Sequence, residues 1–167
     1  MIGKSEVMQK LLEKVKAAAR VPGAVLVTGE TGTGKELVAR VIHEHSERST
    51  GRFVAVDCGA LPDELIESEL FGHRRGAFTT ALADKPGLFE EANGGTLFLD
   101  EIANTSRRFQ AKLLRALQDR QVRRLGDVVL RKLDIRVISA TNCELIPLVK
   151  QGAFREDLYY RLNVFPI

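Results

Sequence analysis

Ala24-Val25-Leu26-Val27-Thr28-Gly29-Glu30-Thr31-Gly32-Thr33-Gly34-Lys35 decides the fold of this chain of 167 residues. Its first five residues are a short apolar run between Gly23 and Gly29, the pattern of a strand buried on both faces of a parallel sheet. Its last seven match G-x-x-x-x-G-K. Glycines there let the backbone turn its N–H groups around phosphate oxygens, the following helix offers its positive N-terminal end to the same charge, and the lysine reaches the terminal phosphates. From Lys35 to His45, the residues Leu37, Val38, Val41 and Ile42 keep helical spacing, so the segment reads strand, glycine loop, helix. Gly29, Glu30, Thr31, Gly32, Thr33, Gly34, Lys35, Glu36 and Leu37 are thus candidate nucleotide-contacting residues. Glu36 stands where a hydroxyl would otherwise ligate Mg²⁺. It either takes an indirect place near the metal or sits at the helix start, where its charge suits the dipole.

Outward from this unit, strands and helices alternate. Helical spacing runs from Lys4 to Arg20, with Ser5 as cap and Pro22-Gly23 as stop. Strands are expected at Phe53–Asp57, Thr96–Leu99, Ile135–Thr141 and Val164–Ile167, and helices at Pro62–Leu70, Thr105–Leu117, Leu145–Lys150 and Phe154–Tyr160. Gln121 to Leu133 reads as a basic hairpin around Gly126-Asp127. Phe71 to Asn93 has no clear period; an insertion of that kind in a compact domain is usually functional or mobile. The whole is an open parallel α/β sheet with both faces covered.

Three further places carry chemistry. Leu97-Phe98-Leu99-Asp100-Glu101 is an apolar strand ending in two carboxylates, and strand C-termini line the ligand crevice of a parallel sheet. Asp100 would hold Mg²⁺, directly or through water, and Glu101 would polarise the attacking water; otherwise the pair is a solvated acidic turn. Thr141-Asn142 ends another strand, where a polar side chain contacts a terminal phosphate or water, or else simply makes a turn. Arg155 and Arg161 flank a short helix. Arginines stabilise transferring phosphoryl charge, often from a neighbouring subunit, or pair with acids such as Glu156 and Asp157.

With these residues in place the chain resembles the sigma-54-dependent transcription activators, the NtrC-type AAA+ ATPases, from Ile2-Gly3 to Pro166. The carriers are GETGTGKE at Gly29 to Glu36, ESELFGH at Glu67 to His73, GAFT at Gly76 to Thr79, GGTLFLDE at Gly94 to Glu101, ATN at Ala140 to Asn142 and FREDLYYRLNV at Phe154 to Val164. The resemblance implies a P-loop NTPase of AAA+ type, a three-layer α/β sandwich with a five-stranded parallel sheet. Residues 1–167 would be its sigma-54 interaction domain, ending before the helical lid. It implies ATP and Mg²⁺ as ligands, Lys35 as the phosphate-binding lysine, Asp100 and Glu101 as metal-holding and water-activating acids, and Thr141 and Asn142 at the sensor. Arg155 and Arg161 fall at the fingers that reach the ATP of the adjacent protomer in a ring, a hexamer in the family. Gly76, Ala77, Phe78 and Thr79 fall on the loop that contacts sigma-54 RNA polymerase, and Gln121 to Lys132 near a second pore-side loop. DNA would be bound by a separate domain. A glutamate after the loop lysine is usual in this family.

Two residues depart from it. Thr80 replaces a glycine of GAFTGA, and a β-branched residue disfavours positive φ. Asp57 stands where the family usually places the asparagine of its catalytic switch; a carboxylate near Glu101 would raise one carboxyl pKa. The competing expectation is an AAA+ ATPase, or a nucleotide-sensing module, that does not engage sigma-54.

Composition agrees with a globular domain: 44% hydrophobic, 28% charged and a formal net charge of +3, too small to argue for nucleic-acid binding. No apolar run reaches membrane-spanning length and no secretory leader is visible at Met1. Cys58 and Cys143 form no metal-ligand pattern, so a reducing cytoplasm is expected.

Overall fold

The computed structural model describes residues 5–167; the expected helix start at Lys4, and Met1, Ile2 and Gly3, lie outside them. Helix α1 (Glu6–Arg20) has the expected cap, with the Ser5 hydroxyl accepting from the Met8 amide. Strand β1 (Val25–Thr28), helix α2 (Lys35–Glu44) and strand β2 (Phe53–Asp57) follow. Helix α3 (Asp63–Phe71) is capped by Pro62 in extended geometry, one step earlier than a first-turn proline. Then come β3 (Gly72–His73), β4 (Lys85–Pro86), the single turn α4 (Leu88–Glu91) and β5 (Thr96–Asp100). A short 3-10 turn, Ile102–Asn104, leads into α5 (Arg107–Asp119), capped by the Ser106 hydroxyl. The remainder is β6 (Gln121–Val122), β7 (Arg131–Lys132), β8 (Arg136–Thr141), α6 (Leu145–Lys150), α7 (Glu156–Leu162) and β9 (Phe165–Pro166).

Five strands form one sheet in the order β2-β5-β8-β1-β9, and every neighbouring pair is parallel. Each strand therefore needs a crossover, and the crossovers cover both faces. Alternation along the strands sorts the side chains. Val25, Val27, Phe98, Ile138 and Ala140 pack against Val15, Ala18, Val38 and Ile42 of α1 and α2. Leu26, Leu97, Leu99 and Val137 face the other way, onto Leu70, Phe109, Leu113, Leu117 and Leu158 of α3, α5 and α7. This is the expected three-layer P-loop NTPase sandwich.

The aperiodic stretch 71–93 is a small clasp. β3 pairs antiparallel with β4, Gly72 opposite Pro86 and His73 opposite Lys85. A Cβ on Gly72 would come within 2.5 Å of the Gly87 amide, and one on Gly87 within 2.4 Å of the Leu70 carbonyl. Two-residue strands held by backbone contact leave no side-chain period to read. The basic hairpin is present as β6 paired with β7.

Helix α5 ends on Arg120, whose φ of 50° is left-handed. That conformation favours glycine. Arg120→Gly is expected to raise stability by about 1 kcal/mol, or roughly 2–4 °C in Tm for a domain of this size, as a thermal melt would read. An unchanged or lower Tm would mean that the arginine side chain makes compensating interactions.

Candidate functional site

The glycine loop begins where β1 ends. The Gly29 amide donates to the Thr141 carbonyl at 3.1 Å, which fastens the loop to the end of β8. Gly32 and Gly34 have φ of +82° and +88°, and a Cβ on Gly32 would meet nothing within 4 Å. Backbone of this shape, open on one side and ending on the first turn of α2, is a cradle suited to phosphate oxygens. Thr33 closes the turn, its amide and hydroxyl both donating to the Glu30 carbonyl. Glu36 lies in the first turn of α2 and accepts from Arg40 at 2.7 and 3.0 Å. Of the two places open to it, the structure shows the helix start, with its carboxylate along the helix surface. Leu37 is half exposed beside it.

Lys35 is only 7% exposed. Its Nζ donates to the carbonyls of Gly29 at 3.0 Å and Glu30 at 3.3 Å, and lies 3.4 Å from Glu101 Oε1. The two sequence motifs thus meet, although Lys35 and Glu101 are remote in sequence. Glu101 sits in the left-handed region with φ 50°, a strained backbone that turns its carboxylate back over the sheet end. Its Oε2 is buried with no hydrogen-bond partner, an acceptor left available to a water or ligand.

Asp100 is the last residue of β5. Burial pushes its carboxyl pKa up; the Glu101 amide, donating to Oδ1 at 2.9 Å, opposes this, the Glu101 charge adds to it, Lys35 opposes, and Asp57 adds last. The raised carboxyl is therefore that of Asp100, with burial as the main cause and the Asp57 charge a minor one. Asp57 stands directly opposite it in the β2–β5 register. Its own Oδ1 accepts from the Gly59 amide at 2.8 Å. Gly59 is also the meeting point of this end: a Cβ there would lie 3.0 Å from Asn104 Nδ2, 3.5 Å from Asp57 Oδ1 and 3.5 Å from Glu101 Cβ. Cys58 is buried between the acids, which with burial as the main cause push its thiol up to about 12. A proton competes for Asp100 at higher pH than for an ordinary aspartate, and a divalent cation would have to displace it. Among the described residues no group of three or more His, Cys, Asp or Glu side chains is placed to hold a metal ion. One carboxylate completed by phosphate oxygens and water is the donor set magnesium usually accepts.

Thr141 is fully buried, and its hydroxyl bonds the Cys143 amide and carbonyl, so it shapes the turn rather than facing the loop. Asn142 is the exposed member of the pair. Arg155 is paired with Asp157 at 2.9 and 2.6 Å. Arg161 donates to the Leu117 carbonyl at 2.8 Å and lines a cavity with Ala24, Arg136 and Val164. Those residues lie at the starts of β1, β8 and β9, whereas the glycine loop lies beyond the end of β1. Arg161 and Lys35 are at opposite ends of the sheet.

The GAFT segment is a tight turn. The Gly76 amide donates to the Ala81 carbonyl and the Ala81 amide to the Phe78 carbonyl, both at 2.9 Å. Phe78 is 37% exposed and stacks edge-on against His73 at 4.9 Å. Only Glu101 and Arg120 among the described non-glycine residues have positive φ, so Thr80 fits its backbone without strain. The turn rests on the β6–β7 hairpin. The Arg74 amide donates to the Leu125 carbonyl and the Leu125 amide to the Gly72 carbonyl, each at 2.9 Å, and a Cβ on Gly126 would come within 2.9 Å of Ala77 Cβ.

Sequence reasoning missed Gln110. It is fully buried and makes three side-chain hydrogen bonds, to Thr105, Ala153 and Arg155. The signal was present: positions 110, 113, 114 and 117 share one helical stripe, and an amide on an apolar stripe must find partners. The pairing of Glu67 with Lys112 and the Glu90–Arg124 clamp beneath the hairpin were missed too, because they join residues remote in sequence.

Comparison with known proteins agrees with this geometry. The family model described as Sigma-54 interaction domain matches residues 1–167. The Nif-specific regulatory protein of Enterobacter agglomerans is 53% identical over 167 residues, covering 100% of this chain and 32% of that protein. The sigma54-dependent transcriptional activator SfnR of Pseudomonas putida is 58% identical over 156 residues, 93% of this chain and 43% of its own. The crystal structure of NtrX from Brucella abortus in complex with ATP superposes with a TM-score of 0.91 at 41% identity, covering 100% of this chain and 36% of that one. The chain thus spans about a third of the length of the first curated relatives it matches. No helix among the described residues is long and apolar enough to cross a membrane. A P-loop sandwich whose loop lysine meets the acid after β5, matched by that family model over its full length, makes this chain a member of the sigma-54 interaction domain family.

Proposed function

We propose that this chain binds ATP at the junction of the glycine loop and the β5 acids and hydrolyses it, in a ring whose motion acts on sigma-54 RNA polymerase to open promoters. The observation that carries the proposal is the approach of Lys35 Nζ to Glu101 Oε1 at 3.4 Å, the phosphate ligand and the water base on one spot. Residues Gly29 to Glu36 would wrap the phosphates with backbone amides. Asp100 would hold Mg²⁺, directly or through water; the ion, when bound, neutralises phosphate charge. Glu101 takes a proton from the attacking water, and Asn142, exposed at the end of β8, would orient that water or the terminal phosphate. Asp57, opposite Asp100, belongs to the switch that controls when Glu101 acts.

Arg161 lies at the far end of the sheet from Lys35, so it serves the nucleotide of an adjacent copy; Arg155, at the start of the same helix, joins it there, which requires a ring and favours a hexamer. Arg155 must first leave Asp157. Gly76, Ala77, Phe78 and Thr79 present the surface that meets sigma-54, and DNA contact belongs to sequence outside this chain. The solved structure of NtrX with ATP supports nucleotide binding by this fold. The test is association of the intact protein with sigma-54 in the presence of ATP, ADP or a transition-state mimic. Binding is expected only with ATP or the mimic, and lost in Phe78→Ala while Lys10→Ala on the far helix retains it. A complex that forms equally without nucleotide, or none in any state, would refute the reading.

A further inference from the structure

Helix α5 connects the two halves of the proposed mechanism. It leaves the catalytic end directly, since only the turn Ile102–Asn104, Thr105 and the Ser106 cap separate its first residue from Glu101. It also carries both arginine-bearing ends of the 155–161 segment. At its C-terminal turn the Leu117 carbonyl accepts from Arg161 at 2.8 Å. At its N-terminal turn the side chain of Gln110 holds the backbone of Arg155 instead. Gln110 Nε2 donates to the Thr105 carbonyl at 2.9 Å and to the Ala153 carbonyl at 3.1 Å, and Oε1 accepts from the Arg155 amide at 2.8 Å. Two carbonyl acceptors and one amide donor allow only one orientation of the amide group, so the side chain is locked. It is fully buried, and each of its bonds ends on backbone. Thr105 belongs to the segment that follows Glu101; Arg155 is the N-cap of α7.

We infer that Gln110 is a positioning residue that couples the Glu101 turn of one subunit to the presentation of its own Arg155 to the next subunit. The inference rests on the arginine assignment made above. A buried side chain that bonds both segments moves them together, because breaking any of its three bonds would strand a buried polar group. A change at Glu101 that shifts Thr105 is therefore carried to the backbone of Arg155 without passing through the solvent-exposed guanidinium. Sequence proximity cannot provide the link, since Gln110 and Arg155 are 45 positions apart and meet through this hydrogen bond.

The test uses rings of the intact protein. Gln110→Ala is expected to bind nucleotide as the parent does but to turn over roughly 10²-fold more slowly, the cost of a misplaced catalytic group. Lys35→Ala subunits, which cannot hold nucleotide but present intact arginines, are then mixed in. Turnover should return, because each Gln110→Ala site next to a Lys35→Ala subunit receives a well-placed Arg155. A subunit damaged at its own site would gain nothing from the mixture. No recovery for Gln110→Ala, while an Arg155→Ala and Lys35→Ala mixture does recover, overturns the inference and leaves the proposed function standing. No recovery in either mixture overturns the arginine assignment and this inference with it. A second measurement needs no ring: amide exchange at Arg155 should accelerate in Gln110→Ala while Leu113 and Leu114 stay protected, and unchanged exchange at Arg155 also refutes the idea. Should Gln110→Ala unfold, Arg107→Ala removes the exposed tie from α5 to the Gly152 carbonyl, at 2.6 Å, and is expected to shift turnover and rescue in the same direction.

Discussion

Glu101→Gln is expected to keep nucleotide and lose turnover by roughly 10²–10⁴-fold, the range removed with a general base. The substitution keeps the shape that packs over the sheet end and takes away only the charge. Lys35 would lose its carboxylate neighbour at 3.4 Å but retain the Gly29 and Glu30 carbonyls, so it stays in place and is better disposed toward phosphate. Affinity for ATP should therefore hold or rise while hydrolysis falls. Lys35→Ala gives the opposite pattern, with binding lost first. Equilibrium binding of a fluorescent nucleotide beside a single-turnover assay separates the two. Hydrolysis by the Glu101→Gln variant at the parent rate would remove Glu101 from the mechanism.

The largest stability effect is expected at Gly95. A Cβ on this buried residue would lie 2.1 Å from the Arg52 carbonyl oxygen and 2.7 Å from its amide, with only backbone to yield. The same carbonyl accepts from the Thr96 amide at 2.8 Å, and the Gly95 carbonyl accepts from Arg136, so movement would disturb both sides of β5. Gly95→Ala is expected to cost about 3 kcal/mol or more, beyond the usual range for an overpacked site. Its neighbour supplies the control. Gly94 has φ +78° and open space around the missing Cβ, so Gly94→Ala should cost only the left-handed penalty of about 1–2 kcal/mol. Urea unfolding of both variants checks the difference. Equal midpoints would show that the β2–β5 edge adjusts more freely than its contacts indicate.

What could be read in the sequence was whatever depends on local pattern. The glycine loop, the five strands and helices α1 and α5 each advertise themselves through spacing within a dozen residues, and all are present with ends displaced by at most two residues. The convergence of Lys35 with Glu101 follows from strand order, because both follow strand C-termini in one parallel sheet. The clasp at residues 71–93 did not announce itself, since its strands are two residues long and held by glycine backbone. Helices α5 and α7 each begin two residues later than their apolar patterns imply, α5 after the Ser106 cap and α7 after Arg155, whose ψ of 130° is extended. The direction in which Asp57, Glu36 and Thr141 turn their side chains was equally out of reach. Asp57 and Thr141 bond neighbours two residues on, in turns the residue types leave undetermined, whereas Glu36 takes the i,i+4 partner Arg40 on its own helix.

The contact between Ala77 and Gly126 has a mechanical consequence. With backbone bonds from Arg74 to Leu125 and from Leu125 to Gly72, the Phe78 turn and the tip of the basic hairpin are a single lever with two prongs. A tilt of α3 that lifts one prong must swing the other through the same arc. Val128, Val129 and Leu130, all more than half exposed, then sweep alongside Phe78 rather than staying behind as a fixed rim.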